Sequence, residues 1–233
     1  MEVTSNGVFI LTGATGALAE AIAEVFGDAG ARLVLTGRDE SDLKARAERF
    51  RATAVPADLT RIQDAERVVA EALRAHGRVD GMIHSAGGFA MSPAHKTEIG
   101  EYERMMDVNM RTLFCAARAV LPALIAQKDG FIAGISSAIV QTGEGAGMST
   151  YAASKGALTS YLRAIAAETR SSGVRVAIAY PEGPIDTPAN RASMPGQDPS
   201  GWVDPLEIAR ALLFAGTRGP RGDLTELSLG VRR

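Results

Sequence analysis

The chain has 233 residues, 46% of them apolar, with 25 basic against 27 acidic side chains and a formal charge of −2. That length fits one domain with a self-sufficient core, and the balanced charge excludes a broad electrostatic footprint for nucleic acid or an anionic membrane. A single cysteine, Cys115, excludes an internal disulfide and a cysteine-based zinc site, no stretch reaches the roughly 20 apolar residues of a membrane span, and Met1 to Leu11 lacks the basic and apolar regions of a signal peptide, so a cytoplasmic protein is expected.

Strand and helix patterns alternate along the chain. Val8 to Thr12 predicts a strand, and Gly16 to Ala29 follows with helical periodicity. Arg32 to Thr36 predicts a second strand and Asp39 to Phe50 its helix. Thr53 to Val55 is a third strand closed by Pro56, and Arg61 to His76 is an amphipathic helix stopped by Gly77. Val79 to His84 is strand four. Glu98 to Gln127 predicts a long helical region with a kink at Pro122. Phe131 to Ser136 is strand five, Tyr151 to Ser171 another long helix, Val174 to Tyr180 strand six, Leu206 to Ala215 a helix, and Leu224 to Leu229 a last strand. Strands and helices of these lengths imply βαβ units, hence one α/β domain with a doubly wound parallel sheet of about seven strands and helices on both faces.

In such a sheet, ligands bind beyond the carboxyl ends of the strands. Four of those ends carry unusual residues. Thr12-Gly13-Ala14-Thr15-Gly16-Ala17-Leu18-Ala19 joins strand one to its helix; Gly13 permits a tight turn and Gly16 lets backbone approach a pyrophosphate at a helix N-terminus, with Ala19 where a third glycine is usual. Strand two ends in Gly37-Arg38, with no acid to accept from a ribose 2′-hydroxyl. Arg38 instead suits a 2′-phosphate and points to NADP; the alternative is an ordinary surface arginine. Tyr151 and Lys155 lie four apart on one helix face, so the ammonium is expected to lower the phenol pKa and fit it for proton transfer. Ser136-Ser137, at the end of strand five, can place a hydroxyl beside the same substrate oxygen. Only four lysines are present (Lys44, Lys96, Lys128 and Lys155), so any chemistry that needs one has few candidates.

These residues, with Asp58 after strand three, Ser85-Ala86-Gly87 after strand four, Asn109 in the long helix and Pro181…Gly183-Pro184-Ile185-Asp186-Thr187 after strand six, resemble the short-chain dehydrogenase/reductase family over essentially the whole chain. The resemblance implies a compact Rossmann-type NAD(P)-binding catalytic domain spanning residues 1–233. Tyr151 would be the acid/base. Lys155 would support it and hold the nicotinamide ribose. Ser137 would polarise the substrate oxygen, and Asn109 would complete a proton relay. Gly13, Thr15, Gly16, Ala17, Leu18 and Arg38 would surround the cofactor phosphates. Asp58 and Leu59 would meet adenine, with Ser85, Ala86 and Gly87 close by, while Pro181, Gly183, Ile185 and Thr187 would hold the carboxamide side. The implied reaction is hydride transfer between NADP(H) and a carbonyl or secondary alcohol. The alternatives are an NAD-preferring dehydrogenase of a sugar, steroid or hydroxyacyl compound and a non-catalytic NADP-binding regulator. A homotetramer or homodimer built on the two long helices and the last strand is also implied.

Several positions depart from the family pattern. His84-Ser85 replaces a pair of asparagines that braces neighbouring strands, so either these two residues substitute for the brace or it is looser; His84 is expected to be structural rather than a base. Glu182 interrupts a Pro-Gly pair, and the interval from Ser137 to Tyr151 is about one residue long. A short lid is expected over about 187–203, with Phe89, Met91, Met148, Met194 and Trp202 as apolar lining. Cys115 falls in the apolar pattern of the long helix, and no cluster has metal-ligand spacing.

Overall fold

The computed structural model describes residues 6–219 and 221–231; the part of the N-terminal reading that falls on Met1 to Ser5 lies outside them. Strands β1 (Val8–Thr12), β2 (Arg32–Gly37), β3 (Thr53–Pro56), β4 (Gly81–His84), β5 (Gly130–Ile135), β6 (Val174–Pro181) and β7 (Glu226–Leu229) form one parallel sheet in the order β3-β2-β1-β4-β5-β6-β7. Helices α1 (Ala17–Asp28), α2 (Glu40–Phe50), α3 (Ile62–His76), α4 (Ile99–Met106), α5 (Thr112–Gln127), α6 (Ile139–Thr142), α7 (Ser149–Thr169), α8 (Pro188–Ser193) and α9 (Pro205–Gly216) supply the crossovers and the loop segments. Strand order reverses between β1 and β4, the position at which doubly wound sheets open a crevice.

The two sheet faces have separate cores. Phe9, Leu11, Leu33, Leu35 and Ile83 face α1, α2 and α9, whereas Ile10, Val34, Met82 and Ile132 face α3, α5 and α7. The strands are apolar on both sides because both sides are covered. At the N-terminal edge, Asp80 is buried, accepts from the Val8 amide at 2.8 Å and pairs with Arg78.

Pairing places Val34, Ile10, Met82 and Ile132 side by side, and two residues further along places Thr36, Thr12 and His84 in a row. Side chains alternate along a strand, so this buried polar row caps the apolar one on the same face. Thr12 and His84 hydrogen-bond each other at 3.0 Å, but the Thr36 hydroxyl has no partner and borders a void of about 10 Å³. Thr36→Val, which keeps the shape and removes an orphaned hydroxyl, is expected to stabilise the protein by about 1–2 kcal/mol in urea unfolding.

The long helical region is built of two helices joined by a π turn. Pro122 sits inside α5 without ending it, and the irregularity lies upstream, where Asp107–Arg111 forms a π turn between α4 and α5. Ile99–Gln127 is long and apolar enough to cross a membrane by length and composition alone, but Leu113, Ala117, Val120 and Leu124 are buried in the core. The long interval between Ser137 and Tyr151 is filled by α6, and the segment expected as a lid carries the short helix α8. Its two ends are held together by Asp186 N–H on the Val203 carbonyl at 2.9 Å and Val203 N–H on the Pro184 carbonyl at 2.9 Å.

Candidate active site

The first strand end is shaped by backbone proximity. Gly13 has φ +64°, and a Cβ there would lie 2.6 Å from the Ala86 Cα and 2.7 Å from the Ala86 nitrogen. No other residue allows β1 and β4 to deliver their loops to one point. Gly16 then starts α1 with no side-chain cap, so the first-turn amides around Ala17 and Leu18 are available to an anion. Ala19, in the third glycine position, is almost wholly buried, so its methyl is absorbed by the core rather than blocking the loop. A Cβ on Gly37 would sit 3.5 Å from Thr15 Cγ2, which puts the Thr15 side chain against the end of β2. Arg38 is exposed just beyond, while its neighbour Asp39 is occupied in capping α2. Arg46 of α2, which the sequence did not single out, reaches back to the Gly16 carbonyl at 3.2 Å and to Glu20.

His84 and Ser85 do provide a brace. Ser85 Oγ donates to the Thr12 carbonyl at 2.6 Å, the Ala86 amide donates to Thr12 Oγ1 at 3.3 Å, and His84 Nδ1 meets the same Thr12 hydroxyl. Burial, and secondarily the Lys155 charge, push the His84 imidazole down to about 3, so it is neutral near pH 7 and buried without access to substrate.

Tyr151 lies in the first turns of α7 and Lys155 one turn later, with Lys155 Nζ 5.9 Å from the centre of the Tyr151 ring. Lys155 is buried and donates to the Ile135 carbonyl at 2.8 Å; burial brings its pKa down to about 8, still mostly charged at pH 7. The phenol of Tyr151 is shifted upward by burial, with the Ser137 hydroxyl pulling the other way. The sequence expectation was a lowered phenol. The difference arises because the ammonium is directed at a β5 carbonyl and the phenol is desolvated.

Asn109 is buried in the π turn. Its Oδ1 accepts from the Gly88 amide at 3.1 Å, and its Nδ2 donates to the Gly88 carbonyl at 3.0 Å and to Ser154 Oγ at 3.1 Å. Ser154, passed over in the sequence between Tyr151 and Lys155, donates in turn to the Tyr151 carbonyl at 2.8 Å. A Cβ on Gly87 would stand 2.8 Å from Asn109 Oδ1 and 3.3 Å from Lys155 Nζ, so these two groups converge over a cradle that only glycine leaves open. Ser137, Tyr151, Lys155, Asn109 and Gly87 therefore meet at one end of the sheet.

The remaining predicted positions lie at other strand ends and in the segment after β6. Asp58 and Leu59 follow β3. Asp58 Oδ1 accepts from the Thr60 amide at 3.1 Å and its hydroxyl at 2.8 Å, and Leu59 is buried in the core. Pro181 ends β6 and Gly183 follows Glu182, whose amide is taken by the Leu229 carbonyl at 2.8 Å. The Ile185 carbonyl accepts from Asn190 Nδ2 at 2.8 Å, and Thr187 caps α8. Phe89 packs edge-on against Tyr151 with ring centroids 5.0 Å apart and is 56% exposed, and Met91 is exposed, whereas Trp202, expected as lining, is buried. Among the described residues no group of three or more His, Cys, Asp or Glu could hold a metal, and Cys115 is buried with its thiol pushed up by burial.

The cradle at Gly13 and Gly87 and the uncapped α1 amides fit a dinucleotide running along the strand ends. Residues 7–198 match the short chain dehydrogenase family. Similar proteins include an uncharacterized oxidoreductase of Staphylococcus aureus (strain N315), 29% identical with 98% of this chain and 99% of that protein covered, and one of Staphylococcus saprophyticus, 32% identical with 92% and 93% covered. A metagenomic short-chain oxidoreductase, solved in complex with NADP, superposes with a TM-score of 0.83 at 28% identity, covering 99% of this chain and 100% of that one. The chain belongs to the short-chain dehydrogenase family and is an NAD(P)-dependent oxidoreductase.

Proposed function

We propose that the protein is a cytoplasmic NADP-dependent carbonyl reductase, run in reverse as a secondary-alcohol dehydrogenase. The observation that carries this reading is the convergence of Tyr151, Ser137, Lys155 and Asn109 around Gly87. When bound, the nicotinamide cofactor supplies or accepts the hydride. Tyr151 donates its phenolic proton to the carbonyl oxygen in reduction, and Ser137 hydrogen-bonds the same oxygen and stabilises the charge that develops on it. Lys155 keeps a positive charge beside the resulting phenolate, and Asn109 holds the Gly88 backbone and Ser154 so that the lysine and the tyrosine keep their alignment. Consumption of NADPH in a panel of ketones and aldehydes tests the reading; no turnover and no NADPH binding would refute it.

The NADP preference rests on Arg38 at the end of β2, beside Gly37 and with no acid in its place, and on the NADP complex of the metagenomic relative. Arg38→Ala is expected to weaken NADPH binding about 10- to 100-fold, the loss of a charge-assisted contact to a 2′-phosphate, and to leave NADH within about twofold. Fluorescence titration with the two cofactors measures this, and equal weakening of both would refute the assignment. A homodimer or homotetramer is also proposed. Phe114 of α5 and Tyr161 of α7 pack with their rings tilted by 50° and centroids 5.8 Å apart, and Phe114 is 43% exposed, an apolar face suited to a second copy.

A further inference from the structure

We infer that His84 is a positioning residue for the Asn109 π turn, acting through Thr112 by a directed chain of hydrogen bonds. The inference rests on the reading above for its catalytic consequence but not for its structural content.

The direction of each bond follows from donor inventory. Thr112 Oγ1 lies 2.8 Å from the Val108 carbonyl and 3.3 Å from His84 Nε2. A carbonyl only accepts, so the single Thr112 proton goes to Val108, and toward His84 the hydroxyl must accept. His84 Nε2 therefore carries the ring proton. The imidazole is neutral, so Nδ1 is the acceptor and takes the Thr12 hydroxyl proton at 3.0 Å. Thr12 Oγ1 keeps a lone pair for the Ala86 amide at 3.3 Å. Every proton in the row from Ala86 to Val108 has one place to go, and no alternative tautomer satisfies all five groups.

The two ends of this chain are functional segments. Ala86 stands between Ser85 and Gly87 on the strand-four loop, and Val108 precedes Asn109 in the π turn. Within that turn the Thr112 amide bonds the Asp107 carbonyl, a π pattern, and the Thr112 hydroxyl serves the Val108 carbonyl. Asn109 then closes the circuit by gripping both backbone groups of Gly88. A saturated network with a buried centre fixes one arrangement, because breaking the bonds of His84 leaves unpaired buried groups. His84 thus couples the loop that carries Gly87 to the turn that carries Asn109.

Thr112→Val removes the relay hydroxyl at constant shape, and Thr112→Ser keeps it. The valine variant is expected to lower kcat about tenfold or more with KM for NADPH within about twofold, since small displacements of aligned groups are costly. The serine variant is expected to restore kcat to within about twofold of the parent. His84→Gln, long enough to donate to Thr112, is expected to retain more activity than His84→Asn, which is too short. Independently of any substrate, long-range ¹H–¹⁵N spectra are expected to show His84 as the Nε2–H tautomer at pH 7, assigned by its disappearance in His84→Gln. The Asn109 side-chain amide is expected to exchange about tenfold faster in folded Thr112→Val than in Thr112→Ser. An Nδ1–H tautomer, or equal Asn109 exchange and equal kcat in the two Thr112 variants, would overturn the inference. Retained turnover in Tyr151→Phe would refute the carbonyl-reductase mechanism instead, leaving the tautomer and exchange results to decide this one.

Discussion

Tyr151→Phe is expected to lower kcat by about two to four orders of magnitude while leaving NADPH affinity within about twofold. The substitution removes one oxygen and keeps the ring that packs edge-on against Phe89, so the fold and the site outline survive. What disappears is the proposed proton donor beside Ser137 and the group whose anionic form Lys155 is proposed to support. Because burial raises the phenol pKa, Tyr151 is protonated throughout the neutral range, and reduction is expected to hold its rate from pH 6 to 8. Lys155, brought down to about 8, loses its charge above that pH, and the rate of the phenolate-dependent oxidation is expected to fall with it. Steady-state kinetics of the two directions against pH, with the phenylalanine variant as control, tests both statements; unchanged turnover in the variant would exclude Tyr151 as the acid.

Stability is expected to rise with pH at both ends of the neutral range. His84 has a folded pKa of about 3 against an ordinary 6.5, so between those values the unfolded chain binds a proton that the folded protein refuses. Its contribution is complete above pH 6.5 and is lost as the pH falls toward 3, at up to about 1.4 kcal/mol per pH unit. His76, also lowered by burial, adds in the same direction. Lys155 obeys the same rule in a higher window: with a folded pKa of about 8 against 10.5, its contribution is present above 10.5 and lost as the pH falls to 8. Stability should therefore drop from pH 6.5 to 5 and rise from pH 8 to 9.5. Above about pH 10 the raised phenols of Tyr151, Tyr161 and Tyr180 oppose the rise, because the unfolded chain sheds those protons first. Urea unfolding at these four pH values measures the effect. His84→Gln should flatten the acid limb and Lys155→Met the alkaline one; limbs that persist in both variants would assign the linkage elsewhere.

The alternation of strand and helix was legible because hydrophobic period and glycine punctuation are local properties. The pairing of Tyr151 with Lys155 was legible because a spacing of four fixes one helix face. Asn109 was legible only through resemblance, for nothing in residues 98–127 marks a π turn. In that turn the Asn109 side chain is bound to Gly88, which lies outside the helix. Pro122, where a kink is expected, lies inside α5: a proline costs one backbone bond, and the helix continues through it. Expecting Lys155 to lower the phenol pKa weighed charge and proximity but omitted burial, which acts on both groups and pushes each toward its neutral form.

Short-range pattern by itself determined the α/β class, the order of elements and the strand ends at which chemistry had to be sought. Tertiary structure decided which polar residues share a bond. Thr12 and His84 are 72 residues apart, and His84 and Thr112 are 28 apart. Sheet order and register align the first pair, and the packing of α5 on that face brings in the second. Which groups His84 braces could not be read from its neighbours in sequence, because a histidine's proton is placed by the partners of its two nitrogens. Those partners are brought to it by β1 and α5.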